Sequence, residues 1–478
     1  MVNLELLDLS GNNSIKVLPS LSGATNLKAL VLDGCVGLEH VGPQGLPPSL
    51  ESFCFDKGLG KDDENKAKIT RISLAGCARL ADFRLHGSLP NLEELDLSHT
   101  AVKMLDLKHE AAVQSLQKIF LQGCEQLHSI SWPETWLQRY RKVGHQIRLL
   151  CIDTRAGREV SKKPSSCNAL MVCQGDGEEY CRAFVATSDM RFLQSLEFLY
   201  ETTKLKLNLY FSSTIKEDRT SCSTGRLVAG LPLPKSMPYH DVNANQQIMT
   251  LTDGSSGASV TMPFQPLEVH AEIAEGISDV PNTVSAQGRR AITFVMNRVE
   301  SLRVHDSSSI TNIGPAHVFM SRGVGNAMLS NQLETLHILF CGDLRQVFPV
   351  EDEFQEKIVA SNEKPWAPWK SRKGMLAFPY LRHLYLHELP NLQLICEAKM
   401  FAPDLEAIYI RGCWSLRRLP ATDAHRRHDG RPVAVDCEKE WWHNLEWDGM
   451  EHGHHPSLFQ LRHSKYSKKR NLRGTVLR

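Results

Sequence analysis

Seven residues that are able to bind zinc lie near the C-terminal end of the chain. They are His425, His428, Cys437, His443, His452, His454 and His455. Structural zinc sites use four ligands at short, characteristic spacings, such as paired cysteines and paired histidines. The spacing here matches no such pattern, and histidines in a polar loop are ordinary surface residues. The sequence therefore predicts no metal site.

Other signatures of catalysis are also missing from the sequence. It contains no G-x-S-x-G, H-E-x-x-H or C-x-x-C motif. The nearest cysteine pairs, Cys167/Cys173 and Cys173/Cys181, are too widely spaced for a zinc knuckle. Carboxylates are numerous, but none forms a defined acid/base pair. We therefore expect a protein that is not an enzyme and that uses no cofactor and no small-molecule substrate.

The composition limits the partners and the compartment. The chain has 478 residues with 55 Lys+Arg against 54 Asp+Glu, a net charge of +1, which argues against a nucleic-acid partner. It has no apolar run long enough to span a bilayer and no signal peptide at its start. Thirteen irregularly spaced cysteines favour a reducing compartment. We expect a cytoplasmic protein, with the nucleus and the inner face of the plasma membrane as alternatives.

An internal repeat gives the elements that would position any binding residues. The frame Leu-x-x-Leu-x-Leu, with other apolar residues at times in the leucine slots, recurs ten times. Its copies begin at Leu4, Leu27, Leu50, Ile69, Leu92, Leu116, Val299, Leu333, Leu381 and Leu405. Several copies are 23 or 24 residues apart, which is typical of a leucine-rich repeat.

In such a repeat the x-Leu-x-Leu-x segment is a short strand whose leucines point into the core. Stacked repeats then form one continuous core and a parallel sheet. The sequence predicts an α/β fold: a leucine-rich-repeat solenoid with a curved parallel sheet on the concave face, an irregular convex side and a degenerate middle section.

The position after each strand carries a second signature. Cys35, Cys77, Cys124, Cys341 and Cys413 share one slot of the repeat, where a buried thiol turns the chain inward. Four of these cysteines are preceded by glycine, which suits a sharp turn after the strand.

The clarity of the repeat divides the chain into four segments. We expect repeats over 1–155, degenerate repeats with long loop insertions over 156–298, repeats again over 299–420, and a C-terminal cap with a basic tail over 421–478. In and beside the middle segment, 147–152, 193–199 and 205–209 alternate well enough to be strands. Its long insertions would be either binding loops or loosely ordered ones. The basic tail would be a binding element or a solvated end.

Alternation along the strands predicts which side chains line the concave face and could contact a protein partner. They are Asp8, Ser10, Asp33, Ser73, Glu94, Asp96, Lys118, Phe120, Gln122, Arg303, His305, His337, His383, Tyr385, His387, Tyr409 and Arg411. Tyr385 and Tyr409 occupy the same slot 24 residues apart, so they should be neighbours on adjacent strands. With the nearby histidines and Arg411 they would form an aromatic and cationic patch, a composition favoured at binding hot spots.

The form Leu-x-x-Leu-x-Leu-x-Gly-Cys resembles the irregular repeats of plant nucleotide-binding leucine-rich-repeat disease resistance proteins. The segments 378–384 and 402–406 are similar to the aromatic-Pro-x-Leu openings of the last repeats in the grass members of that family. The segment 441–449 resembles their closing tryptophan segment, and 462–466 and 473–478 resemble their basic tail.

This resemblance implies a module that senses a pathogen effector, directly or through a guarded host protein, and that helps to hold a nucleotide-binding domain inactive. The chain itself has no G-x-x-x-x-G-K-[ST] phosphate loop, so ADP or ATP would bind only in a domain outside it. Its first leucine frame has no polar capping repeat before it, so we expect a chain that begins within an array.

The sequence leaves other classes of protein open as alternatives. A substrate receptor of a ubiquitin ligase, or a generic leucine-rich-repeat scaffold, could also use cysteine-containing repeats; the ligase subunit would have an F-box-like segment and a more regular repeat. An extracellular receptor domain would have a signal peptide and paired capping cysteines.

Overall fold

The computed structural model describes the chain in segments separated by gaps. The described residues are 3–42, 45–56, 67–107, 111–113, 115–132, 147–155, 181–189, 192–196, 205–211, 247–252, 259–264, 269–273, 298–307, 310–313, 320–322, 328–330, 332–349, 375–396, 399–422 and 431–462. They fall into two compact units. Unit 1 comprises Met1–Val185, Thr202–Leu207 and Thr214–Glu268, and unit 2 comprises Ala186–Glu201, Asn208–Ser213 and Val269–Arg478.

Unit 1 is built from short strands. They are β1 (Leu6–Asp8), β2 (Ala29–Val31), β3 (His40–Val41), β4 (Ser52–Asp56), β5 (Arg71–Ser73), β6 (Asp82–Ser88), β7 (Glu94–Asp96), β8 (Met104–Asp106), β9 (Ala111–Ala112), β10 (Lys118–Gln122), β11 (Ser129–Ser131) and β12 (Leu149–Asp153). Two strands contain residues of both units, β13 (Cys181–Thr187) and β14 (Leu205–Phe211). An antiparallel pair follows in unit 1, β15 (Gln247–Thr252) and β16 (Ser259–Phe264).

The repeats of unit 1 form two larger parallel sheets, and β8 and β11 form a separate parallel pair. The first has the order β1-β2-β4-β6-β9, and the second runs β3-β5-β7-β10-β12. The consensus residues of the second repeat, Leu27, Leu30 and Leu32, are completely buried. Burial of such apolar surface is the main stabilising contribution to this core.

The first three consensus strands and the next three do not share one sheet, contrary to the simple stacking that the frame predicts. Strand β4 pairs with β6, and β5 pairs instead with β3 and β7. Leu50 and Ile69 are only 19 residues apart, less than the 23 residues of a full repeat. These pairings show that the chain passes from one sheet to the other between β4 and β5. The two strands are therefore separated by half a turn of the solenoid, the half-coil, and not by a full turn.

Unit 2 contains the later repeats. Its strands are β17 (Val269–Ile273), β18 (Ser301–His305), β19 (Met320–Arg322), β20 (Met328–Ser330), β21 (Thr335–Leu339), β22 (Gln346–Phe348), β23 (Met375–Ala377), β24 (His383–His387), β25 (Leu394–Cys396), β26 (Lys399–Phe401), β27 (Ala407–Arg411), β28 (Val433–Asp436) and β29 (Phe459–Arg462). One short helix, α1 (Lys439–Trp442), lies between the last two strands.

Seven strands of unit 2 form one parallel sheet in the order β17-β18-β21-β24-β27-β28-β29. Strands β22 and β25 pair in a second layer, as do β23 and β26. The inward residues Leu302, Leu336, Leu384 and Ile408 are completely buried. Each unit therefore has the leucine-rich-repeat solenoid fold that the sequence predicts.

A left-handed backbone turn follows the consensus strands. Glycine adopts it where the sequence has Gly-Cys, as at Gly123 (φ 67°) and Gly412 (φ 66°). The same slot is left-handed at His99 and Glu388, where no glycine is present. The turn is therefore set by the coil, and glycine only removes the strain that a side chain adds.

The cysteine slot supplies buried hydrogen-bond donors. The Cys35 thiol donates to the Leu9 carbonyl and the Cys124 thiol to the Leu97 carbonyl, each at 3.2 Å and each in the preceding repeat. Burial raises the pKa of the Cys77 and Cys124 thiols to about 11. These cysteines therefore serve as neutral structural groups, as the repeat predicts.

The structure confirms part of what the sequence predicts for the middle of the chain. Strand β12 covers 149–152 of the predicted segment 147–152, and β14 covers all of 205–209. The predicted strand over 193–199 is wrong for 193–196, because 192–196 form a 3₁₀ turn that buries Leu193 and Leu196, and 197–199 lie outside the described residues. Their spacing of three suits a helical turn. The long insertions at 156–180, 212–246 and 274–297 lie outside the described residues, as does the tail after Arg462.

At the C-terminal end, α1 secures the last repeats. Trp441 is buried and its indole N–H donates to the Leu416 carbonyl at 3.1 Å. Strands β28 and β29, within 421–478, extend the sheet beyond the last consensus repeat. Within the part of the chain that is described, no helix is long and apolar enough to cross a membrane.

Candidate protein-binding face

One row of side chains crosses all seven strands of the unit 2 sheet in register, on the face that points away from the core. We call this face of the sheet the outer face and this row the central row. Its members are Glu272, Arg303, His337, Tyr385, Tyr409, Asp436 and Arg462. The order is charged at both ends and aromatic in the middle, because parallel strands in register place equivalent repeat positions side by side.

The aromatic part of the central row is a stack. The His337 and Tyr385 rings have centroids 4.3 Å apart and planes 5° apart. Tyr385 and Tyr409 follow at 4.7 Å and 2°. These separations match the strand spacing of a parallel sheet, so the backbone fixes the stack.

The three rings of the stack differ in the exposed fraction of their side chains. His337 and Tyr385 are buried, whereas Tyr409 remains 37% exposed. Tyr409 is the last ring, because the next position in register is Asp436. The part of the stack that can contact a partner is therefore its Tyr409 end.

A polar network occupies the other end of the central row. His305 lies between two carboxylates, with Nε2 2.7 Å from Glu272 Oε1 and Nδ1 2.7 Å from Asp306 Oδ2. Arg303 and His270 also lie within 4 Å of the Glu272 carboxylate. An imidazole can serve both carboxylates as a donor only when both nitrogens carry protons.

The pKa values follow from these contacts. Burial alone would raise the pKa of Glu272, but hydrogen bonds with His270 and His305 and the charge of Arg303 hold it well below its usual range. Burial would lower the pKa of His305, yet the hydrogen bonds to Asp306 and Glu272 outweigh it and raise that pKa. This end of the row is therefore a closed set of charged pairs.

Three other histidines of the outer face have lowered pKa values. Burial and the charge of Arg303 lower the pKa of His337 to about 3. Burial and the charge of Arg411 lower that of His387 to about 4, and burial also lowers the pKa of His383. Burial therefore disfavours a positive charge on these three histidines.

Two arginines flank the open end of the stack. Arg411 Nη2 lies 2.5 Å from Asp436 Oδ1, an ion pair that is about one quarter exposed on each side. Arg462 is exposed, and no side-chain hydrogen bond or ion pair to it is found among the described residues. The open end therefore combines an aromatic ring with an arginine whose side chain has no ion-pair partner in the described part of the chain.

The sequence-predicted residues of unit 2 all lie on the outer face. Arg303, His337, Tyr385 and Tyr409 belong to the central row, and His383 precedes Tyr385 by two positions on β24. The adjacent row contains His305, His387 and Arg411. Five of the predicted residues nevertheless offer a partner little or no surface of their own, because they are buried: His305, His337 and Tyr385 in unit 2, and Ser73 and Phe120 in unit 1.

The predicted residues of unit 1 do not share one face. Asp8, Ser10 and Asp33 belong to the β1-β2-β4-β6 sheet or its edge, where Asp8 accepts a hydrogen bond from the Ser10 backbone at 2.9 Å. Those on β5, β7 and β10 lie in the second sheet; they are Ser73, Glu94, Asp96, Lys118, Phe120 and Gln122. The half-coil between β4 and β5 separates the two groups.

Several unit 1 residues are engaged within the sheet. Glu94 pairs with Arg71 at 2.9 Å, and Ser73 donates to Asp96 at 3.3 Å. Phe120 is only 5% exposed and packs with Leu149 and Cys151. Its ring is thus part of a small apolar cluster and is not open to a partner.

The repeat frame did not predict three residues of the central row. Glu272, Asp436 and Arg462 lie on β17, β28 and β29, which carry no Leu-x-x-Leu-x-Leu pattern. The only available signal was the alternation of apolar and polar residues, as in Phe459-Gln460-Leu461-Arg462. Such short alternation is weak evidence for a strand.

The structure also locates the zinc-type residues near the end of the chain. Cys437 and His454 are buried, and His454 lies against the Trp447 ring with centroids 4.9 Å apart. His425 and His428 lie outside the described residues. No group of three or more His, Cys, Asp or Glu side chains among the described residues could hold a metal ion.

Comparison with known proteins bears on the same region. Residues 275–425 match the family model for leucine-rich repeats of RPS2-like plant disease resistance proteins. Disease resistance protein SUMM2 of Arabidopsis thaliana is 31% identical over 111 residues, which is 23% of this chain and 12% of that protein. Disease resistance protein RPS6 of the same plant is 30% identical over 138 residues, 27% of this chain and 11% of that protein.

The chain thus matches only about a tenth of the length of these relatives. Among solved structures, the functional domain of InlJ from Listeria monocytogenes, described as including a cysteine ladder, aligns over 90% of this chain and 74% of that one. Its 11% identity and TM-score of 0.21 are too low to support an argument. The chain carries a leucine-rich-repeat region that is similar to those of plant disease resistance proteins.

Proposed function

We propose that this chain is the protein-recognition module of a plant intracellular immune receptor. It would bind a pathogen effector, or a host protein that the receptor guards, in the cytoplasm or at a compartment open to it. The observation that carries this proposal is the aromatic stack of unit 2, which ends in the exposed Tyr409 near Arg411 and Arg462. Tyrosine and arginine are the residue types that most often dominate binding energy at protein interfaces.

A second part of the proposal concerns regulation. The outer face would bind the nucleotide-binding domain of the same receptor in the resting state. An effector or guarded protein that competes for this face would release that domain and shift the receptor to its active state. The similarity to plant disease resistance proteins supports this assignment, and the nucleotide would bind outside this chain.

The first test is the gene itself. We expect the transcript upstream of Met1 to encode a phosphate loop in the same reading frame. An F-box in that position would overturn the assignment and favour a ubiquitin-ligase subunit.

The second test is co-purification of the full chain with the nucleotide-binding domain that the same gene encodes. We expect a stable complex that Tyr409→Ala weakens by about tenfold, since an anchor residue of this type contributes roughly 1–2 kcal/mol or more. Arg417→Glu is the matched control, because Arg417 is exposed but lies outside the sheet. If both proteins are folded and do not associate, the regulatory part of the proposal fails.

A further inference from the structure

We propose that the open end of the aromatic stack binds an acidic polypeptide segment that carries an aromatic side chain. The site is formed by Tyr409, Ala434 and Arg462. This inference rests on the protein-recognition function proposed above, and it specifies the chemistry of the partner at the same face.

The position of the Tyr409 ring favours an aromatic side chain on the partner. Tyr385 covers one face of its ring at 4.7 Å, while the adjacent position on β28 holds Asp436 and no ring. The Asp436 carboxylate is held by Arg411. An aromatic side chain of the partner would therefore continue the stack on the other face of Tyr409, in the offset parallel arrangement that aromatic rings favour.

The surface beside Tyr409 has room for that ring. Ala407 and Ala434 pair in register on β27 and β28, in the row next to Tyr409 and Asp436, and both are partly exposed. Alanine at both positions places nothing larger than a methyl group in the row beside the Tyr409 ring.

The positive charge of the site favours an acidic segment on the partner. Arg462 is next to Asp436 in register, and its charge acts on the Tyr409 hydroxyl. Asp436 is already paired with Arg411, so the second arginine leaves a net positive charge at this end of the row. A partner carboxylate near Arg462 would gain a charge-assisted hydrogen bond.

The surrounding groups point the same way. His383 and His387 are on the same face, and both are neutral near pH 7 because burial lowers their pKa values. Arg411 and Arg462 carry two positive charges at this end, against the one carboxylate of Asp436. A basic partner would thus be repelled and an acidic one attracted to this end of unit 2.

The experiment measures binding of three labelled peptides to the full 478-residue chain by fluorescence anisotropy. The first peptide is Glu-Asp-Trp-Asp-Glu with blocked ends, the second replaces its Trp by Gly, and the third is Lys-Arg-Trp-Arg-Lys. We expect the first to bind with a dissociation constant below about 1 mM and the other two to bind at least tenfold more weakly. Raising the salt from about 0.05 M to 0.5 M should weaken the first peptide several-fold.

Matched variants locate the site. Arg462→Glu and Tyr409→Ala should each weaken the first peptide about tenfold, while Tyr409→Phe, which keeps the ring, and Arg417→Glu should change it less than twofold. Thermal melts of the variants establish that they are folded. An acidic peptide that binds equally well to Tyr409→Ala would lie elsewhere, for example on the basic residues after Arg462, and the inference would be wrong.

Other outcomes separate this inference from the proposed function. If the basic peptide binds best and Tyr409→Ala weakens it, the face is a recognition surface but an acidic partner is excluded. If no peptide binds while the chain still co-purifies with a nucleotide-binding domain, recognition stands and the acidic aromatic chemistry is rejected. Binding of the first peptide that depends on both Tyr409 and Arg462 supports the inference.

Discussion

Tyr385 and Tyr409 lie on adjacent parallel strands with ring centroids 4.7 Å apart and ring planes 2° apart. Their positions are paired in register, so the sheet itself sets their separation. Tyr385 is covered on both sides, by His337 and by Tyr409, and is 2% exposed. One ring therefore serves the stability of the repeat, and its neighbour provides the surface that a partner can reach.

This division of roles predicts different effects of substitution. Tyr385→Ala should destabilise unit 2 by about 3 kcal/mol, because it removes a buried ring and two stacking contacts. Tyr409→Ala should cost about 1 kcal/mol or less, since its ring is partly exposed. Differential scanning calorimetry of both variants and of Tyr385→Phe checks this. Equal losses of melting temperature for the two alanine variants would contradict the assigned roles.

The second prediction concerns pH and His305. The raised pKa of His305 in the folded state means that its protonated form stabilises the fold. This contribution is fully present below the ordinary value of about 6.5 and is lost as the pH rises through the folded-state pKa. Unit 2 should therefore melt at a lower temperature at about pH 9 than at about pH 6.

His305→Gln should remove most of that difference, because glutamine does not titrate. His443→Gln, at an exposed histidine of unit 2, is the matched control. Glu272 acts in the opposite range: its lowered pKa gives stability above about pH 4.5 that is lost as the pH falls through its folded-state value. A melting temperature of the wild type that does not change between pH 6 and pH 9 would contradict the protonated bridge.

The third prediction uses two glycines with the same backbone conformation. Gly76 and Gly123 both have left-handed φ values, 83° and 67°. A Cβ on Gly76 would meet nothing within 4 Å, whereas a Cβ on Gly123 would lie 2.4 Å from His99 Nδ1. Gly76→Ala should therefore cost about 1 kcal/mol, from backbone strain alone, and Gly123→Ala should cost more.

The excess in Gly123→Ala should disappear when His99→Ala is added, since the clash then has no partner. Melting temperatures of the two single variants, of His99→Ala and of the double variant form a double-mutant cycle. A double variant that is no more stable than additivity predicts would mean that His99 simply moves aside.

The fourth prediction concerns the cysteines. Burial raises the pKa of Cys77, Cys124 and Cys341 to about 11, and burial together with a hydrogen bond to Asp33 raises that of the half-buried Cys54 to about 12. Because the thiolate is the reactive form, these four cysteines should resist alkylation by iodoacetamide near neutral pH. Peptide mass spectrometry before and after denaturation measures this, and rapid modification of Cys54 in the native chain would be the contrary result.

Spacing alone predicts the part of the fold in which every coil has the same length. The 24-residue interval between Tyr385 and Tyr409 is one full coil, so the two rings are correctly predicted to be neighbours. The interval between Leu50 and Ile69 is shorter, and the consensus leucines look identical whichever sheet they enter. The leucine pattern predicts which residues are buried, but it does not predict which sheet a strand joins. The move between sheets in unit 1 could therefore not be predicted from that pattern.

The charged ends of the central row were hidden for a different reason. Asp436 and Arg462 lie on strands that have only two inward apolar residues each and no consensus frame. Their position depends on β27 as a template for pairing, which is a tertiary effect. The same holds for Glu272, whose network with His305 and Asp306 joins β17 to β18 and the turn after it.

The most direct measurement is hydrogen–deuterium exchange of the full chain with and without the nucleotide-binding domain encoded by the same gene. If the outer face of unit 2 is the recognition surface, slower exchange on binding should be concentrated in peptides that contain β24, β27, β28 and β29. Tyr409→Ala should reduce that protection, and Arg417→Glu should leave it unchanged. A complex that protects only unit 1, or only parts of unit 2 away from Tyr409 and Arg462, would show that the partner binds elsewhere.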